Sequence, residues 1–213
     1  VLSAAANTLI LAAVSTAVST VLGTLLALGL ERFPWPRWLR KSVDAVVYVP
    51  VVTPDIVFAV GMLLAFEAVR AAIGGLRLGM ATMIVAHVTF QVSFVALTVS
   101  SRLATIGRTV EEAARDLYAG AWYALRRVTF PLLAPGVVAG AMLAFTLSLD
   151  DYIITLFTSG PGTTTLPLRV FAMLKHGVTP KVNALSTLWI ALVFVLLALI
   201  QWLQQRNAGP RAA

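Results

Sequence analysis

Asp55, Asp150 and Asp151 sit inside long apolar stretches. An isolated carboxylate there costs about 2.5–3.5 kcal/mol on insertion scales, so none of the three should face hydrocarbon. Two chemistries fit. Adjacent carboxylates raise each other's proton affinity, and a cation carrying more than one charge would keep Asp150 and Asp151 ionised. Alternatively the pair caps or pairs within a helix bundle and orients a gate. Asp55 follows Pro50 and Pro54, each of which removes a backbone donor and bends or breaks a helix. A discontinuous helix at mid-membrane is a common device at transport sites. Around the pair, Ser148 either joins a polar path or bonds a neighbouring carbonyl. Tyr152 and Phe157 either offer ring faces to an ammonium or simply pack. His87 reads as a proton relay or as a hydrogen-bonded packing residue.

Other chemistries are absent from the sequence. The chain has no cysteine, so disulfides and thiolate metal sites are excluded. His176 has no second histidine at ligand spacing. No stretch reads Gly, four residues, Gly-Lys-Ser/Thr, so ATP is not held by that loop here. No Ser/His/Asp arrangement has a convincing context, and the chain is expected to be neither an enzyme nor the holder of a cofactor of its own.

The elements that position these acids are membrane helices. With 59% apolar and 12% charged residues, the chain departs in opposite directions from the usual half and quarter of a soluble domain. Apolar spans run from about Val1 to Leu30, Val43 to Phe66, Met80 to Ser101, Leu132 to Phe157 and Ala184 to Leu203. Each is long enough to cross roughly 30 Å of hydrocarbon as a helix, and the runs lack the alternation of a barrel. Residues 1–213 are therefore expected to form one all-α, polytopic transmembrane helical bundle. The net charge of +7 is explained by topology rather than nucleic acid. Arg32, Arg37, Arg40, Lys41, Arg102, Arg108, Arg115, Arg126, Arg127, Arg206 and Arg211 fall on one side; Arg70, Arg77, Arg169, Lys175 and Lys181 fall on the other. The richer side should face the cytoplasm, with the Ala213 end inside. Five spans then put Val1 outside, and a preceding helix is expected to be missing. Trp35, Trp38 and Trp202 read as interfacial anchors. A short helix is expected between Leu166 and Lys175.

The connection Arg102 to Pro131 is the one sizeable polar insert. Thr109 with Glu112 three residues later predicts a capping box opening a short helix. That helix would present Val110, Ala113, Ala114 and Leu117 on one side and Glu111, Arg115 and Asp116 elsewhere. After a break near Tyr118 to Gly120, a second helix with Trp122, Leu125, Arg126 and Val128 should lead through Pro131 into the next span. By periodicity alone the insert is either a docking hairpin or an ordinary solvated loop.

Glu112-Ala113-Ala114 and the spacing onward to Pro131 resemble the EAA loop of ABC importer permeases of the maltose and methionine type, the MetI-like superfamily. That pattern is Glu-Ala-Ala, three residues, Gly, nine residues, a branched apolar residue, any residue, Leu, Pro. Here Val128 is the branched residue, Phe130 replaces Leu, and Tyr118 stands at the Gly, so Gly120 is expected to make the turn or the turn to be displaced. Asn7-Thr8-Leu9, Pro54-Asp55-Ile56-Val57, Leu147 to Asp151, Thr158 to Pro161 with Leu166-Pro167-Leu168, and Gly177 to Pro180 with Val182 to Leu185 are similar to the second permease subunit of spermidine/putrescine transporters.

The resemblance implies an inner-membrane permease of six spans, here lacking the first, that forms half of a polyamine path. Asp55, Ser148, Asp150, Asp151 and Tyr152 would line that path. Thr109, Glu111, Glu112, Ala113, Ala114, Arg115, Leu117 and Gly120 would couple to a cytoplasmic ATPase dimer that holds the ATP and Mg. A second permease subunit and a periplasmic or lipid-anchored solute-binding protein complete the implied assembly. Permeases for aminoethylphosphonate-type compounds or opines are the alternative within the family. A proton-coupled carrier and a membrane scaffold are the rivals outside it.

Overall fold

A computed structural model describes the backbone of residues 1–175, 177 and 179–207. His176, Val178 and residues 208–213 lie outside the described residues, as do the side chains of Lys181, Ile200 and 203–207. The sequence readings that rest on His176, on the Lys181, Arg206 and Arg211 charges and on the Ala213 end therefore lie outside them too.

Among the described residues the regular structure is all helical. In order it comprises α1 (Leu2–Arg32), α2 (Arg37–Val52), α3 (Asp55–Ile73), α4 (Met80–Ile106), α5 (Thr109–Asp116), α6 (Ala121–Ala124), a π-helical turn (Leu125–Thr129), α7 (Phe130–Asp150), α8 (Ile153–Thr158), α9 (Leu166–Leu174) and α10 (Pro180–Asn207). Among the described residues, five stretches are long and apolar enough to cross a membrane: α1, α3, α4, the continuous run Ala121–Asp150, and Val182–Leu199 within α10.

The span expected over Val43 to Phe66 is not one helix. Thr53 is extended (φ −80°, ψ 133°), because the ring of Pro54 pushes the residue before it out of the helical region. Pro50 is accommodated inside α2, so only Pro54 breaks the chain. Asp55 consequently lies in the first turn of α3 rather than in mid-helix, where the positive helix end favours a carboxylate. The span expected over Leu132 to Phe157 is interrupted as well. It stops at Asp150, passes through an extended Asp151 (φ −62°, ψ 128°) and restarts as α8.

The core is the crossing of α1, α4 and α7 around Ala27, Val95, Val99, Leu103, Leu133 and Ala144. A second cluster, Ala59, Phe66, Ala86, Phe90 and Ile154, joins α3, α4 and α8. The α1–α4 crossing is close because α1 carries glycine where it meets Val95. A Cβ on Gly23 would stand 2.7 Å from Val95 Cβ, and small residues are what allow membrane helices to approach. At the end of the bundle where α1 begins, Asn7 Nδ2 donates to the carbonyls of Gly162 (3.2 Å) and Thr164 (3.1 Å). Thr8 Oγ1 accepts from the Leu166 amide (2.8 Å). These two residues lace the loop before α9 to α1, and α9 forms where the sequence places a short helix.

Gly23→Ala should therefore wedge α1 from α4 and cost about 1–3 kcal/mol. Gly29→Ala, which meets no atom within 4 Å, should be neutral or slightly stabilising. Thermal unfolding of the two detergent-solubilised variants beside the wild type checks the contrast.

Candidate functional site

The break between α7 and α8 is held by Asp151. Its Oδ1 accepts from the Ile154 amide (3.2 Å), and its Oδ2 accepts from the Thr155 amide (2.8 Å) and hydroxyl (2.7 Å). One carboxylate thus satisfies the donors that the first turn of α8 would otherwise leave open. His87 on α4, 2% exposed, closes on the same oxygen, with Nε2 3.3 Å from Asp151 Oδ2 and 3.2 Å from Thr155 Oγ1. A carboxylate only accepts, so Nε2 is the donor toward it. The other ring nitrogen lies 2.9 Å from Ser148 Oγ, and Ser148 Oγ lies 3.3 Å from Ser15 Oγ on α1. A buried polar chain therefore ties α1, α4, α7 and α8 together. Above it in α4, Gln91 bridges Ser19 Oγ (3.1 Å) and the Ala144 carbonyl (3.1 Å).

This geometry sorts the acids. Asp151 is spoken for within the chain, and Ser148 is buried, bonded to His87 and Ser15 rather than to a neighbouring carbonyl. His87 is hydrogen-bonded inside the bundle, and its partners include the Asp151 cap. Asp55 and Asp150 are exposed and, among the described residues, make no ion pair. Each stands at a helix break, Asp55 opening α3 and Asp150 closing α7. Phe58, one turn after Asp55, packs in the same cluster as Leu147 and Ile153 on either side of the Asp150–Asp151 break, so the structure brings Asp55 toward a pair that lies 95 and more positions away in sequence. Asp150 and Tyr152 also line a groove of about 280 Å³ with Phe171 and Trp189. The Tyr152 and Phe171 rings pack at 4.3 Å. Thr155, four residues after Asp151, was legible as a helix neighbour. Ser15, far away in sequence, was not.

The polar hairpin differs from expectation in three ways. First, no capping box forms. The Glu112 amide donates to the Arg108 carbonyl (2.9 Å), so the helix begins at Thr109 as expected, but Arg108 rather than Thr109 is the N-cap and no side-chain cap bond forms. Second, the engaged carboxylate is Glu111, not Glu112. Glu111 Oε1 accepts from Arg32 Nε (2.9 Å) and from Thr129 Oγ1 (3.0 Å), and Arg32 Nη2 also donates to the Gly107 carbonyl (3.1 Å). Glu111 and Ala114 are the half-buried residues of α5, whereas Val110, Glu112, Ala113, Arg115, Asp116 and Leu117 are exposed. Ala114 therefore parts from the face predicted for it. The π turn, by adding a residue to the helical ring, brings Thr129 inward to meet Glu111.

Third, the turn stays at Tyr118. Tyr118 has φ +61°, its amide donates to the Arg115 carbonyl (2.8 Å), and the Ala119 amide donates to the Ala114 carbonyl (3.0 Å). This pair of bonds is the Schellman closure of a helix. Gly120 is extended (φ −64°, ψ 155°) and takes no part in the reversal. A side chain in the left-handed region costs about 1–2 kcal/mol, a penalty that glycine would avoid.

Residues 19–209 match the family model described as the binding-protein-dependent transport system inner membrane component. The chain belongs to that family. This permease is 40% identical over 211 residues to the putrescine transport system permease protein PotI of Escherichia coli K12, an alignment covering 99% of this chain and 75% of PotI. It is 37% identical over 206 residues to the spermidine/putrescine transport system permease protein PotC of Haemophilus influenzae, covering 97% of this chain and 77% of that one. In fold it is similar to a bacterial alginate ABC transporter solved in complex with an alginate pentasaccharide-bound periplasmic protein, with TM-score 0.81 and 17% identity over 99% of this chain and 80% of that chain. The all-helical, MetI-like ABC permease architecture expected from the sequence is thus the one found. The chain is a multi-pass inner-membrane permease subunit of an ABC transporter rather than an enzyme.

The buried chain in this permease makes a measurable claim. His87→Leu should destabilise the subunit by about 1–3 kcal/mol by stripping a donor from a buried carboxylate. Asp151→Asn in that background should restore part of the loss, so that thermal unfolding in a double-mutant cycle gives a coupling of about 1 kcal/mol.

Proposed function

We propose that this permease forms half of the path of a polyamine importer, with Asp55 and Asp150 facing the cargo. The observation that carries the reading is the pair of exposed carboxylates at two helix breaks, neither of which makes an ion pair among the described residues. Two like charges in one low-dielectric path repel. A diammonium such as putrescine relieves that repulsion by placing one charge against each. Resemblance to putrescine and spermidine/putrescine permeases over nearly the whole chain supports the same cargo class. Asp151, Ser148 and Tyr152 then shape the path from behind. Asp151 holds the break open through His87 and Thr155, and Tyr152 stacks on Phe171.

In this reading the hairpin α5–α6 is cytoplasmic, consistent with the excess of Lys and Arg on its side, and the Ala213 end lies on that side as well. The loop laced to Asn7 and Thr8 faces outward beneath a periplasmic or lipid-anchored solute-binding protein. A second permease subunit completes the path. Two copies of a cytoplasmic ATPase, which hold the ATP and Mg, grip α5 from below. Closure of the ATPases on ATP moves α5, and Glu111 passes the movement to α1 through Arg32 and to α7 through Thr129.

Liposomes carrying the ATPase, both permeases and the binding protein, supplied with labelled putrescine, test the cargo assignment. Asp150→Asn and Asp55→Asn should each lower ATP-dependent uptake about tenfold or more at matched insertion, since about 1.4 kcal/mol of lost stabilisation of the cargo corresponds to tenfold, with Asp150→Glu retaining most of it. Uptake by both amides equal to that of the wild type would remove these carboxylates from the path. Glu112→Ala should uncouple ATP hydrolysis from uptake, and normal coupled transport by that variant would count against the docking role of the hairpin.

A further inference from the structure

We propose that Tyr118 is a docking residue for the ATPase subunit, its ring entering an apolar pocket of that partner and setting which ATPase this permease accepts. The inference rests on the coupling role given above to the hairpin and names the residue on which it turns. Tyr118 is the one non-glycine residue with positive φ among the described residues. Its two turn bonds, to Arg115 and from Ala119 to Ala114, fix the reversal, so the strain is imposed by the hairpin and cannot be relaxed locally. Packing within the chain does not offset it, because Tyr118 is 99% exposed. Nor does a local bond, since a phenol is too long to bond its own backbone in the way that lets Asn and Asp occupy this region. Strain of this kind persists where the conformation serves a function.

The surroundings fit a protein partner. Leu117 and Trp122, at either side of the turn, are 82% and 72% exposed, and exposed Glu112, Arg115 and Asp116 lie along α5. An aromatic centre with a mixed-charge rim is the composition of a protein interface. A lipid headgroup layer would suit Trp122, which lies in the first turn of the helical run that continues into α7, but it gives no reason for the acids beside Tyr118.

The test compares Tyr118→Gly, Tyr118→Ala and Tyr118→Phe in the nanodisc-embedded permease, measuring the affinity of the ATPase subunit of its own transporter and the thermal midpoint. Glycine relieves the backbone and deletes the ring. It should weaken ATPase binding by roughly 30-fold, a hot-spot loss, while leaving the midpoint equal or higher. Alanine should weaken binding as much and lower the midpoint relative to glycine, and phenylalanine should bind within about threefold of the wild type. Wild-type affinity in Tyr118→Gly would overturn the inference, as would a loss of binding in Tyr118→Gly accompanied by a midpoint below that of the wild type. Detachment of the hairpin from anionic vesicles by Tyr118→Gly with ATPase binding intact would assign the ring to lipid instead. If the wild type binds no ATPase, the coupling role itself falls, and this inference with it.

Discussion

Hydrocarbon supplies no hydrogen bonds, so every interruption of a membrane helix must find its donors and acceptors within the protein. This chain interrupts two spans, and the way it satisfies the second decides much of the rest. At Asp151 the carboxylate replaces the missing turn for Ile154 and Thr155. That in turn draws in His87, then Ser148, then Ser15, so three further helices are placed by the demands of one capped end. Burying a charge this way is expensive unless it is fully partnered, and the density of bonds around Asp151 is the structural answer. The first break, at Pro54, needs less. Proline has no donor to satisfy, and its carbonyl accepts from Val57 (2.9 Å) and Phe58 (3.2 Å).

The division of labour among the acids follows from that constraint. Adjacent in sequence, Asp150 and Asp151 point to different tasks because α7 ends between them. Asp150 is the last helical residue and stays open, while Asp151 is drawn under α8. The same logic separates Glu111 from Glu112. Glu111 is clasped by Arg32 and Thr129, whereas Glu112 is left on the outer surface of the hairpin, available to another subunit.

Much of this was legible in the residues. Span lengths and the absence of alternation specified the helical class, Pro54 marked a break, and the charged insert marked the hairpin. The short α9 followed from its partly apolar run. What escaped was contact between distant segments. Arg32 and Glu111 are 79 positions apart, and nothing in either neighbourhood announces the pair. The capping box failed for a subtler reason: the motif Thr109-x-x-Glu112 is present and the helix does begin at Thr109, but the Arg108 carbonyl captures the Glu112 amide, so Arg108 takes the N-cap position. Tyr118 stands where the family pattern has glycine, which pointed to a turn at Gly120 or a displaced one, yet the hairpin holds Tyr118 itself in the left-handed region.

One continuity carries a mechanical corollary. From Ala121 to Asp150 the chain runs 30 residues as uninterrupted helix, about 45 Å at 1.5 Å per residue, with the π turn folded into its base. The second arm of the hairpin and the span are therefore one continuous piece. A tilt given to Trp122 is felt at Asp150 without passing through any side-chain relay, and the joint that must absorb it is the extended residue just beyond, Asp151. The bonds of its carboxylate to His87 and Thr155 would then limit how far Asp150 moves.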